Sequence, residues 1–238
     1  MVLVDFRKWS FGDLSYLPDS QKELLQRDFK TLNSIGDFKV IDFKKREILI
    51  SDLFFENKEV VAVSSVNNLS DYFETIDAVL EEKNKEVIDY TDAADEEVYF
   101  YGSNSLVAHH TAEIGICGVN KNSDESLFEE YCEDFELTPF SFELPERIFT
   151  SDIAFFTLNK LFICLDYIQD KKEKKQLFSI LKSSGIELVS FTKEQVEQKV
   201  FNMKLLEDGR LLILQSTYDL FTEKQKAAIL DLDIEIIK

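Results

Sequence analysis

The chain has 238 residues and 21 phenylalanines, and 45% of it is hydrophobic, which excludes a disordered protein and leaves room for a substantial core. Its formal charge is −19, so direct contact with nucleic acid or an anionic membrane is not expected. No run of 18 apolar residues occurs, and the start MVLVDFRKWSF lacks the basic and apolar regions of a signal peptide. Cys117, Cys132 and Cys164 form no CxxC and lie near no His pair suited to zinc; they read as reduced, buried thiols of a cytoplasmic protein.

In chain order, the first segment carries FGDLSYL with Asp13. An amphipathic helix follows in DSQKELLQRDFKTL, with Leu25, Phe29 and Leu32 on one face, and then a closing strand in FKVIDF. Next comes ISDLFF with Asp52, then the β-branched run EVVAVSS, a strand. The helix SDYFETIDAVLEE follows, with Ser70 or Asp71 as its cap, and EVIDY closes the segment as another strand. The acid-rich run Asp89 to Glu97 reads as a solvated connection. YGSNSL, with Asn104, opens the next segment: strand AEIGICGV, helix SDESLFEEYCEDF, strand LTPFSF. FTSDIAFF, with Asp152, leads to strand KLFICLDY, helix KKEKKQLFSILKSSG stopped by Gly185, and strand IELVSF. VFNMKLL, with Asn202, leads to RLLILQST, TEKQKAAILDL and IEII.

Asp52, Asn104, Asp152 and Asn202 are thus 52, 48 and 50 positions apart, each heading the same order of strand, strand, helix, strand. The first segment reads as a worn fifth copy, with repeats at about 1–45, 46–92, 97–143, 147–192 and 198–238 in one domain. Five units of this size, each unable to bury its helix alone, predict a five-bladed α/β propeller with helices outside and the strand starts facing an axial opening. The second strands VVAVS, EIGICGV, LFICL and LLILQ should be its most buried segments.

In this order of elements the chain resembles the penteins, the guanidino-group-modifying superfamily of arginine deiminase, dimethylarginine dimethylaminohydrolase and the amidinotransferases. The resemblance implies attack on a guanidinium carbon by a cysteine thiolate, helped by a His and held by carboxylates. A family line resembling RD-T-x-F is matched at Asp52, with Ser51 in place of the Arg. Against a line resembling E-G-G-D stand Tyr101, Gly102, Ser103 and Asn104, so both acids are replaced. Against F-H-L-D stand Phe149, Thr150, Ser151 and Asp152, which keep the aspartate and lose the histidine. For the Arg of a line resembling S-x-R-T-N, the nearest base is Lys121. The family's nucleophile follows a glycine-rich run at about the place where DIEIIK ends this chain.

These departures lead to the expectation of a degenerate, catalytically silent pentein without cofactor or metal. Its pocket, lined by Asp52, Asn104, Asp152, Asn202 and Asp13, would bind a small guanidino or amine ligand, or the acidic surface would dock a basic protein partner. The alternatives are an active amidinohydrolase or amidinotransferase with an atypical or truncated site, and an acidic interaction protein such as an immunity-type inhibitor. His109, His110 and Glu113 suggest a metal site only superficially, because neighbours on a strand face opposite ways.

Overall fold

The computed structural model describes residues 2–4, 38–40, 50–81, 83–205, 211–229 and 234–237. The helix expected in DSQKELLQRDFKTL, and Asp13, lie outside them. In chain order the strands are β1 (Val2–Val4), β2 (Phe38–Val40), β3 (Phe54–Glu56), β4 (Val60–Val63), β5 (Glu86–Asp89), β6 (Leu106–His109) and β7 (Ile114–Val119). They continue as β8 (Thr138–Glu143), β9 (Ala154–Phe156), β10 (Lys160–Ile163), β11 (Glu187–Ser190), β12 (Met203–Leu205), β13 (Leu211–Leu214) and β14 (Ile234–Ile237).

Four three-stranded sheets share one topology. The first strand runs antiparallel to the second as a hairpin, and the third returns parallel to the second after a helix: β3-β4-β5, β6-β7-β8, β9-β10-β11 and β12-β13-β14. The parallel return requires a crossover, which the predicted helices supply. The central strand is buried on both faces, as its unbroken apolar run demands: Val61, Ala62, Ile116, Cys117, Leu161, Phe162, Leu212 and Ile213 have no exposed surface.

The chain divides into two compact units, residues 51–196 and residues 1–50 with 197–238. In the second of these, β1 pairs in parallel with β2. The partner of the closing strand thus precedes Asp13, whereas in the four complete sheets the central strand follows the polar residue.

Within residues 51–196, the core gathers around Tyr131 and Phe128, both fully buried. The Tyr131 ring stacks on Tyr90 at 4.1 Å, and its hydroxyl shares a 2.9 Å hydrogen bond with Ser64 Oγ, which satisfies the one polar atom this ring brings inside. The helices start where caps are present. Asp124 Oδ1 accepts from the Ser126 and Leu127 amides ahead of helix Glu125–Asp134, and Asp170 Oδ1 accepts from Lys172 N ahead of Lys171–Ser183. Gly185, at φ +67°, ends the latter helix, with Ile186 N bonded back to Leu181 O at 2.9 Å. Ser70 and Asp71 do not cap: they lie inside a 3-10 turn, Leu69–Tyr72, that runs into helix Phe73–Leu80. The run after Asp89 is a largely exposed 3-10 helix, Thr91–Glu96, joining two sheets.

Candidate functional site

Asp52, Asn104 and Asp152 do not start strands. Each sits in a single helical turn just ahead of its sheet: Ile50–Leu53, Gly102–Ser105 and Thr150–Ile153. The end of the central strand pins the first and third of these turns directly, Ser64 N donating to Leu53 O and Cys164 N to Ile153 O, both at 2.9 Å, while the second is reached from Gly118 N through the Thr150 hydroxyl. The turns therefore inherit the rigidity of the sheets behind them.

Successive turns are pressed together. Gly102 has φ +41°, and a Cβ there would stand 2.6 Å from Phe54 O and 2.9 Å from Ser51 O, so only glycine fits the approach. Ser103 Oγ donates to Phe54 O at 2.8 Å across the same seam. One residue on, Asn104 Nδ2 donates to Asp52 Oδ1 at 2.5 Å and to Ser51 Oγ at 3.0 Å. From the other side, Ser151 Oγ donates to Asn104 Oδ1 at 2.7 Å. The result is a polar line of Asp52, Asn104 and Ser151, one member from each of three consecutive turns. Asp52 and Asn104 are buried.

Asp152 has a local duty as well. Its Oδ2 accepts the Phe149 amide at 3.0 Å, closing the start of its own turn. Thr150, at the position where the resemblance implies a histidine, has no exposed surface. Its hydroxyl donates to Ser105 O at 2.6 Å and accepts from Gly118 N at 2.8 Å. That position is built into the join between sheets. Tyr101, opposite the other replaced acid, packs its ring 5.4 Å from Phe149; burial foremost, and the Asp52 charge with it, holds its phenol above the ordinary range.

Asn202 is buried in the unit formed by residues 1–50 and 197–238. Lys121 forms an exposed ion pair with Glu146 at 2.8 Å. His109 accepts the Ala112 amide on Nδ1, and its Nε2 lies 3.0 Å from Leu158 O, so the ring holds two stretches of backbone. Cys117 and Cys132 are buried in the core, and burial pushes both thiols up, Cys132 to about 12; Cys164 is likewise raised by burial. An open cleft of about 330 Å³ lies between the loop at Asn67 and Asn68 and the 3-10 helix bearing Asp92 and Asp95, and none of Asp52, Asn104 or Asp152 lines it.

Sequence reasoning singled out the acids and amides but not the hydroxyls that join them. Ser51 and Ser151 were legible as the serines that precede Asp52 and Asp152, and Ser103 precedes Asn104 in the same way.

Sheets of this topology, headed by polar turns, define an α/β protein of the pentein kind. The sequence model of the family described as N,N dimethylarginine dimethylhydrolase, eukaryotic, matches residues 66–238, and the chain belongs to that family. No curated protein sequence matches it. Among solved structures it is similar to ArgZ, an arginine dihydrolase from the ornithine-ammonia cycle in cyanobacteria, with TM-score 0.69 and 11% identity over 98% of this chain. It spans 36% of the length of that chain. The N-terminal domain of ArgZ, a cysteine-to-serine variant bound to substrate, gives 0.67 and 12% over 91% of this chain and 80% of that domain. A cysteine-to-serine variant of DDAH from Pseudomonas aeruginosa, complexed with citrulline, gives 0.66 and 10% over 99% of this chain and 91% of that one. At these identities the likeness establishes the fold, the α/β pentein fold.

The comparisons overturn the expectation of a catalytically silent protein. The family is one of hydrolases, and the similar structures are of an arginine dihydrolase and a DDAH. The expectation rests on the replacements at Tyr101, Asn104 and Thr150 and on the absent cysteine line, whereas the family match extends over 66–238.

Proposed function

We propose that the chain is an amidino-group-modifying enzyme, of hydrolase or transferase type, with an atypical site, and that its substrate is a small guanidino cation. The observation that carries this reading is the match of residues 66–238 to the dimethylarginine dimethylhydrolase family. Asp52 and Asp152 support it, as carboxylates on matching turns of the fold. A guanidinium is a planar cation whose paired N–H groups suit a carboxylate, and the buried setting of Asp52 strengthens such a pairing. The charge of −19 draws a cation toward the surface. The buried free thiols fit a reducing compartment such as the cytoplasm, and among the described residues no helix is long and apolar enough to cross a membrane.

The site is atypical because none of the three thiols has the setting of a nucleophile: burial disfavours the thiolate of each. The test is release of ammonia or dimethylamine from arginine, dimethylarginine and agmatine by the parent and by Asp52→Asn. Turnover of at least one substrate, reduced about a hundredfold in the variant, is expected. No turnover across the panel, or turnover indifferent to Asp52, overturns the reading.

A further inference from the structure

The amide of Asn104 is engaged on every side. Its nitrogen gives its two hydrogens to Asp52 Oδ1 and Ser51 Oγ, and its oxygen takes the hydroxyl of Ser151. The amide nitrogen faces Asp52 and Ser51 and the amide oxygen faces Ser151, so each end of the amide meets a group it can pair with. The residue is 3% exposed, and Asp52 is 4% exposed, so water does not replace these bonds.

An acid at position 104, which the resemblance implies for the family, would put two carboxylates within hydrogen-bonding distance of each other. Such a pair cannot hold both charges at neutral pH, and one proton is shared between them. An amide has the opposite effect, since its N–H stabilises the charged form of Asp52. We infer that Asn104 is a positioning residue, held by Ser51 and Ser151, that fixes the Asp52 carboxylate and favours its charged form toward a guanidinium ligand. This rests on the proposed function, because it takes Asp52 as the group that meets the cation.

Two other titratable groups stand on the adjoining turns among the described residues. Tyr101 is held un-ionised well beyond neutrality, and Asp152 is bonded to the Phe149 amide.

The experiment follows the Asp52 side-chain carbon by NMR from pH 2 to 8 in the parent, Asn104→Leu, Asn104→Asp and Ser151→Ala, with agmatine affinity measured by calorimetry on the same samples. In Asn104→Leu the Asp52 pKa should rise by about one unit and agmatine binding weaken about tenfold. Ser151→Ala, a milder change made at a half-buried position, should move both the same way and by less. Asn104→Asp should titrate in two steps, the upper one well above the ordinary carboxylate range. An Asp52 titration unchanged in Asn104→Leu and Asn104→Asp overturns the inference, as does agmatine binding that is equal in the parent and Asn104→Leu; in the latter case the functional reading stands. If the titrations shift as expected but the parent binds no agmatine and turns over none of arginine, dimethylarginine and agmatine, the functional reading fails, and Asn104 positions an acid that meets no cation.

Discussion

Replacing Thr150 with valine isolates one join between sheets. Valine keeps the shape of threonine, so packing at this fully buried site changes little, but the hydroxyl that serves both Ser105 O and Gly118 N is gone. Each backbone group then lacks that partner in a place water does not reach. A buried group left unsatisfied costs about 1–3 kcal/mol, so the pair should cost about 2–6 kcal/mol. Thr150→Ser keeps both hydrogen bonds and loses a methyl, worth about 1 kcal/mol. Urea unfolding of the parent and both variants gives the comparison, and amide exchange at Gly118 localises it, since that amide should exchange faster in the valine variant alone. A valine variant within about 0.5 kcal/mol of the parent would refute the reasoning. So would a serine variant that loses as much as valine, because the methyl and not the hydroxyl would then be the important group.

Gly102→Ala should destabilise residues 51–196 by about 2–4 kcal/mol, the sum of a left-handed backbone and a contact with rigid carbonyls; chemical unfolding that shows a loss under about 1 kcal/mol would mean the two turns are not pressed together. A thiol reagent at pH 8 should label Cys117, Cys132 and Cys164 roughly a hundredfold more slowly in the folded chain than in urea. Fast labelling of any one of them in the folded chain would reinstate a cysteine nucleophile.

The central strands and their helices could be read from the sequence because burial on both faces leaves an unbroken apolar run, as in IGICGV, and because Asp124 and Asp170 announce the helices that follow. The turns ISDL, GSNS and TSDI could not be read as helical, since four residues do not complete a pattern of period 3.6. The short helix Lys193–Glu197 does carry a sequence signal. Thr192 and Gln195 form a reciprocal box, with Thr192 N donating to Gln195 Oε1 at 3.1 Å and Gln195 N to Thr192 Oγ1 at 3.3 Å. At the site, the spacing of Asp52, Asn104 and Asp152 was visible, but the bonds from Asn104 to Ser51 and Asp52 and from Ser151 to Asn104 run between units about 50 residues apart. A single sequence carries no mark of who meets whom across such a gap.

The way each sheet is strung together also bears on how the chain acquires its structure. Strands β3 to β5 pair only with one another between residues 54 and 89, and β6 to β8 and β9 to β11 do the same within 106–143 and 154–190. No ladder in residues 51–196 waits for a distant strand, so the entropy of closing each loop stays small and pairing is rapid for a protein this rich in strands. On a ribosome, a sheet can zip up as soon as its own stretch has emerged. The contacts at Gly102, Asn104 and Thr150 each join groups from different sheets, so the polar line at Asp52 needs three sheets in place before it is complete.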